Sequence, residues 1–218
     1  MILMACEAIW RNPFVTCKMI VMPSELKKLL QPGFLFALFC LVGLYFLTRL
    51  INLTEIPVFV DEAIYIRWAQ VMRAEPTLRF LPLSDGKQPL FMWLVIPSFK
   101  LFADPLFAGR FISILAGFGT LVGVFLLTWY LTKNRFTSLL ASLLYIVIPY
   151  TLFFDRMALV DSLLSMFAIW SIFIGILFIQ TPRLDLAMIL GFILGGGLLT
   201  KSPAILFIAL QPILLLSL

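Results

Sequence analysis

The acids and bases of this sequence gather in a few places. Between Leu53 and Gln88 stand Glu55, Asp61, Glu62, Arg67, Arg73, Glu75, Arg79, Asp85 and Lys87, a density of charge unlike any other stretch. Beyond it, Arg110, Asp155, Arg156, Asp161 and Lys201 stand near the ends of apolar blocks. The chain has no histidine, so the usual proton shuttle near neutral pH is missing. Acid and base work falls to Asp or Glu. A carboxylate can accept the proton of an attacking hydroxyl, and Lys or Arg can stabilise charge growing on a phosphate leaving group. This chemistry permits glycosyl transfer without singling it out.

Each of these residues also has a plain structural reading. Asp61 suits a helix N-cap, with Glu62 complementing the dipole. Lys87 and Lys201 suit snorkelling to lipid headgroups, and Asp155-Arg156 a local ion pair. Two other function classes stay open: a transporter whose polar residues line a pathway, and a non-catalytic lipid-binding scaffold. A transporter places its charges at the bilayer midplane on broken helices. Blocks 34–51, 111–131 and 136–153 carry only Arg49, near an end, which favours the enzyme.

The elements that must position these groups are set by composition. Of 218 residues, 62% are hydrophobic and 12% charged, against roughly 45–50% and about 25% in soluble domains. The apolar residues come in long blocks, which read as membrane-spanning helices. The expected fold is an all-α polytopic membrane protein whose first extracytoplasmic loop holds short interfacial helices. The net charge of +5 comes from sixteen Lys and Arg scattered singly, as topology signals and headgroup contacts would be, so nucleic acid is not an expected partner. Cys6, Cys17 and Cys40 lack metal-ligand spacing.

Residues 1–33 read as a cytoplasmic tail, within which Met22 opens a second natural-looking start. The expected spans are 33–51, 106–131, 136–154, 163–179 and 186–199. A sixth, 204–218, stops inside a hydrophobic block, so the sequence reads as the N-terminal part of a longer protein, inactive alone. In the loop 52–105, Ile64, Trp68, Val71 and Met72 recur at helical spacing after Asp61, predicting an amphipathic helix on the membrane surface. Residues 89–103 are too few to cross the bilayer and predict a re-entrant or interfacial helix. The positive-inside rule then puts Lys133, Arg135 and Arg183 in the cytoplasm and the acidic and basic cluster outside.

Five stretches resemble a known family: Phe59-Val60-Asp61-Glu62-Ala63-Ile64-Tyr65, Gly86-Lys87-Gln88-Pro89-Leu90-Phe91-Met92-Trp93, Ala108-Gly109-Arg110-Phe111, Arg156-Met157-Ala158-Leu159-Val160-Asp161 and Leu199-Thr200-Lys201-Ser202-Pro203. Their order and spacing, over residues 34–205, resemble the N-terminal half of the GT-C superfamily. The likeness is strongest to bacterial protein O-mannosyltransferases, a group that includes the lipid A aminoarabinose transferases. The family often has two prolines after the lysine, where this chain has Gln88-Pro89, and a T-K-G step where it has Thr200-Lys201-Ser202; neither change removes a charge.

The resemblance implies an inverting transferase of a hexosyl or pentosyl unit, taking sugar from a polyprenyl-phosphate donor to an acceptor glycan, lipid or protein. The expected place is a bacterial inner membrane, with the site facing the periplasm among membrane lipids. Asp61, Glu62 and Asp161 are the implied catalytic carboxylates. Lys87, Arg156 and Lys201 are implied at the donor phosphate, with Tyr65, Arg110 and Asp155 in support. No metal-ligand set is assigned, and the cofactor is left open, a divalent metal included. The topology generates the first prediction. Reporters fused after Lys133 and Arg183 should read cytoplasmic, and those after Asp85 and Met157 periplasmic; a cytoplasmic signal at Met157 would overturn the non-crossing reading of residues 89–103.

Overall fold

The computed structural model describes residues 31–217; the expected cytoplasmic tail up to residue 30, with Cys6, Cys17 and Met22, lies outside them. The chain divides into two compact units, one ending at Cys40 and the other Leu41–Leu218. Described residues of the first form only the start of helix α1, Pro32–Leu50. The second unit holds the rest of α1 and every charged residue singled out above.

All the described elements are helical. After α1 come α2 (Val60–Ala74), 3-10 turns at Pro76–Leu78 and Leu81–Asp85, α3 (Leu90–Ser98) and α4 (Pro105–Thr132). Then follow α5 (Arg135–Val147), α6 (Pro149–Asp155), α7 (Val160–Gln180), α8 (Leu184–Thr200), a turn at Ser202–Ala204, and α9 (Ile205–Ser217). Helices α1, α4 and α7 are long and apolar enough to cross a membrane. The pair α5 and α6 qualifies as a fourth span only if taken together across a bend of 65°. Helix α8 has 17 residues, about 25 Å at the α-helical rise and somewhat short of a bilayer core of about 30 Å. The nine residues of α3 reach only about 14 Å.

Local chemistry explains the breaks. Asp104 caps α4 by accepting from Leu106 N at 2.9 Å, with Pro105 at the first helical position. Lys133 ends α4 at φ 53°, and Asn134 caps α5 by accepting from Phe136 N at 2.9 Å. The reversal between the two helices is therefore very tight. Sequence hydropathy predicts one span over 136–154; there Pro149 keeps Ile148 out of the helical region, at φ −57° and ψ 122°, and the helix breaks with a bend of 65°. Helix α7 starts at Val160, earlier than the expected 163, so Asp161 sits in its first turn.

Close helix contacts are built on small residues. A Cβ at Gly119 or Gly123 of α4 would strike Met166 or Ile169 of α7, and one at Gly196 of α8 would strike Phe167. These glycines let the helix axes approach. Of the other glycines in 191–197, Gly191 and Gly195 face open space.

Helix α2 buries Glu62, Tyr65, Ile66, Ala69 and Met72. The sequence pattern picks out Ile64, Trp68, Val71 and Met72, of which Met72 is buried and the other three only partly so. A periodicity that counts apolar residues cannot see that Glu62 is fully buried on that face. Helix α3 covers α2 with Phe91, Met92 and Val95, and Met157, Ala158 and Leu159 complete that core.

A second core surrounds a charge. Asp155 is buried, and its carboxylate accepts from Arg49 Nε at 3.4 Å, Tyr145 Oη at 3.2 Å and Ser162 Oγ at 3.0 Å. Tyr45 Oη lies 3.4 Å from the same carboxylate and donates to Ile114 O at 2.7 Å. Arg49 also donates to Ile146 O at 2.8 Å. Space for this cluster exists because position 117 has no side chain: a Cβ there would land on the Asp155 carboxyl and the Tyr45 hydroxyl. Gly117→Ala should therefore lower stability by about 1–3 kcal/mol through overpacking. Gly191→Ala, with open space around its Cβ, should hold or raise it, since alanine favours a helix by about 1 kcal/mol. Thermal unfolding in detergent checks the order of the two, and an unchanged Tm for Gly117→Ala would overturn this account.

Candidate functional site

The site is assembled by a group that is not in it. Glu62 has no solvent exposure, so each oxygen needs partners within the protein. Oε1 accepts from Arg110 Nε at 2.7 Å and from Ala158 N at 2.7 Å. Oε2 accepts from Arg110 Nη2 at 2.8 Å and from Phe59 N at 3.3 Å. The last bond is half of a capping box, since Glu62 occupies the third position of α2 and Phe59 is the N-cap. Arg110 is equally buried and uses its remaining donors on the carbonyls of Leu53 and Ile56. Asp61 is thus not the cap of its helix. It sits in the first turn, beside a fixed neighbour, with its side chain 45% exposed.

Lys87 reaches Asp61 Oδ1 at 3.1 Å and lies 3.7 Å from Asp85 Oδ2. Its ammonium stands 5.1 Å from the Tyr65 ring centroid and 5.6 Å from that of Trp68, within cation–π range of both. Gly86 delivers it: at φ 67° it closes the preceding turn, donating to Leu83 O at 3.1 Å, a conformation that residues with a Cβ adopt reluctantly. A matching pair lies close by. Lys201 Nζ is 2.9 Å from Asp161 Oδ1, the lysine following the end of α8 and the aspartate in the first turn of α7.

The two lysines face one cavity of about 350 Å³, walled by Asp61, Tyr65, Lys87, Gln88, Thr200 and Lys201 among others. Burial works to lower the pKa of both lysines, but hydrogen bonds and charge attraction from Asp61 and Asp161 outweigh it and hold each above the ordinary lysine value. Burial raises the Tyr65 hydroxyl above its usual range, keeping it a neutral donor. The cavity thus presents two fixed cations, each sharing its charge with a carboxylate. Such a site can bind a phosphate group and offer a base beside it.

Of the nine residues singled out in the sequence, Asp61, Tyr65, Lys87, Asp161 and Lys201 come together here. The others stand elsewhere. Glu62 and Arg110 form the buried clamp, and Asp155 pairs with Arg49 across the second core rather than with its neighbour. Arg156 donates from Nη2 to Ile51 O at 2.7 Å and Asn52 O at 3.0 Å, holding the loop after α1; burial, then Arg110 and Arg49 nearby, lower its pKa. Trp68 and Gly86 went unassigned in the sequence, although an aromatic one turn after Tyr65 and a glycine just before the lysine were visible signals. Among the described residues, no group of three or more His, Cys, Asp or Glu is placed to hold a metal ion.

Comparison with known proteins identifies a family. Residues 86–217, more than half of the chain, match the family model described as dolichyl-phosphate-mannose-protein mannosyltransferase. The match takes in Lys87, Asp161 and Lys201 and leaves Asp61 and Glu62 before its start. No curated protein and no solved structure matches. An all-helical chain with membrane-length apolar helices, a cavity of paired lysines and carboxylates, and this match together mean that the chain belongs to the dolichyl-phosphate-mannose-protein mannosyltransferase family, membrane glycosyltransferases of the GT-C type.

Proposed function

We propose that the cavity carries out inverting transfer of a sugar from a polyprenyl-phosphate donor to an acceptor hydroxyl or phosphate at the outer face of the membrane. The observation that carries this reading is that Asp61, Lys87 and Lys201 line one cavity from three separate segments, Lys87 paired with Asp61 and Lys201 with Asp161 of a fourth. In the reaction, the acceptor oxygen attacks the anomeric carbon from the face opposite the phosphate. Its proton passes to the Asp61 carboxylate, the carbon–oxygen bond to the donor phosphate breaks, and the phosphate leaves with the bonding pair. Lys87 and Lys201 stabilise the added charge. The arriving phosphate competes with the aspartates for the lysines, so donor binding loosens Asp61 from Lys87 and exposes the base. Asp161 orients Lys201 within the same cavity. Glu62, with both oxygens occupied, acts by holding Asp61 in place.

Asp61→Asn keeps the size of the side chain and leaves the Phe59 cap untouched. Transfer from radiolabelled polyprenyl-phosphate sugar in membranes should fall by at least about a hundredfold, with insertion and thermal stability close to wild type. Lys87→Ala should instead show mainly as weaker use of the donor. Near wild-type turnover by Asp61→Asn would remove it as the base, and Asp161 would be tested next.

The lysine pKa values yield a pH prediction. A raised pKa means that the folded site favours the charged form, so the cation is present at every lower pH and lost only as pH rises through the raised value. Donor affinity should therefore show no lysine titration up to the ordinary lysine value of 10.5. Donor KM measured from neutral to alkaline pH checks this, and a loss of donor binding with a midpoint below about 9, well under the usual lysine range, would exclude these lysines as the phosphate ligands.

A further inference from the structure

A second cavity, of about 410 Å³, lies in the loop region between α2 and α3 and is walled by Met72, Arg73, Arg79, Phe80, Trp93, Ile96 and Pro97. It shares no residue with the first. Arg73 stands twelve positions after Asp61 on α2, about 18 Å along the axis. We propose that this cavity is a second binding site, taking the phosphate headgroup of an anionic amphiphile at the membrane surface.

Its cations are available. Neither Arg73 nor Arg79 forms an ion pair among the described residues; Arg73 makes a long bond of 3.4 Å to Phe99 O, and its guanidinium lies 5.9 Å from the Phe99 ring centroid. Two arginines lining one cavity suit a phosphate, whose oxygens accept several guanidinium hydrogen bonds. The aromatic wall is fixed in advance. Trp93 Nε1 donates to Arg79 O at 2.8 Å, tying the indole to the backbone of the arginine itself, and Phe80 meets the ring edge-on with centroids 5.4 Å apart.

The surroundings point to an amphiphile rather than a soluble anion. Phe80 is 60% exposed and Leu101 77%, with Leu78 and Leu83 also exposed on the same loop segments. Apolar side chains mixed with Arg73, Arg79 and Lys100 make a surface that settles at the boundary between headgroups and acyl chains. There the arginines meet phosphates, and Met72 and Ile96 offer apolar contact to the glycerol or sugar next to them.

The test uses the purified full chain in a non-ionic detergent, titrated with dioctanoyl phosphatidic acid, dioctanoyl glycerol and inorganic phosphate by microscale thermophoresis. Saturable binding of the phosphatidic acid is expected, weakened at least about tenfold in the double variant Arg73→Gln/Arg79→Gln, since two charge-assisted contacts are removed. The neutral glycerolipid should bind far more weakly. Binding should also weaken with added salt. Because a phosphate amphiphile also fits the first cavity, the titration is repeated in Lys87→Ala, which is expected to weaken binding at that cavity while the second site keeps its affinity within about twofold, as sites this far apart act independently. Thermal unfolding verifies that all variants fold. The proposal falls if the double variant binds as wild type does, or if Lys87→Ala alone abolishes all saturable binding. Equal affinity for inorganic phosphate would also overturn it, in favour of a free anion.

Discussion

A carboxylate with no access to water must have its charge answered inside the protein, and Glu62 meets that condition with partners from three places at once. Moving an ion out of water opposes folding by several kcal/mol, and only a well-formed, fully hydrogen-bonded pair offsets it. Arg110 provides two parallel contacts from α4, Ala158 a backbone donor from the segment before α7, and Phe59 the donor that opens α2. Arg110 in turn fastens the loop after α1 through Leu53 and Ile56. No single member can shift without leaving a buried charge partly unsatisfied. The placement of Asp61, one residue from Glu62, and of Asp161, three residues from Ala158, follows from this one clamp.

The second buried charge works in the same way at another level of the molecule. Asp155 ties α6 to α1 through Arg49, to α5 through Tyr145, and to α7 through Ser162. The kink at Pro149 turns α6 out of line with α5, and Asp155, at the end of α6, is held by the base of the helix that follows. Gly117 opens the volume that the cluster fills. A missing side chain on α4 and a missing amide hydrogen at Pro149 are thus both needed for one carboxylate to sit in an apolar region.

The residues gathered at the cavity were more legible in the sequence than the framework that holds them. Asp61, Lys87, Asp161 and Lys201 were legible because a charge beside an apolar block is conspicuous, and long apolar blocks gave the helical membrane fold for the same reason. Partnerships were not legible. Asp155 stands next to Arg156 in the chain, yet pairs with Arg49, 106 positions away, because the two helix ends meet in a buried space while Arg156 turns toward loop carbonyls. The face of α2 was misread for a related reason: hydropathy counts Glu62 as a surface residue, and only the approach of Arg110 makes it a core one. The break at Ile148 was readable from Pro149, but composition alone runs the span straight through it.

Burial separates the two kinds of ion pair by what they can do. Glu62–Arg110 and Arg49–Asp155 have side chains at 0–2% exposure, where removing one partner costs about 3–5 kcal/mol. Such pairs cannot open on each turnover, and they serve as framework. Asp61–Lys87 and Asp161–Lys201 are 27–45% exposed, where water screens the attraction and an ion pair contributes on the order of 0–1 kcal/mol. A phosphate oxygen can displace a carboxylate from either lysine at small energetic cost, and the carboxylate, once displaced, remains within reach of whatever the phosphate brings. The exchangeable pairs are held in register by the unexchangeable ones. The transfer proposed above, which binds an anion, uses a base and releases an anion again, calls for both kinds, and here they involve adjacent residues of one helix turn, Asp61 facing the cavity and Glu62 facing the core.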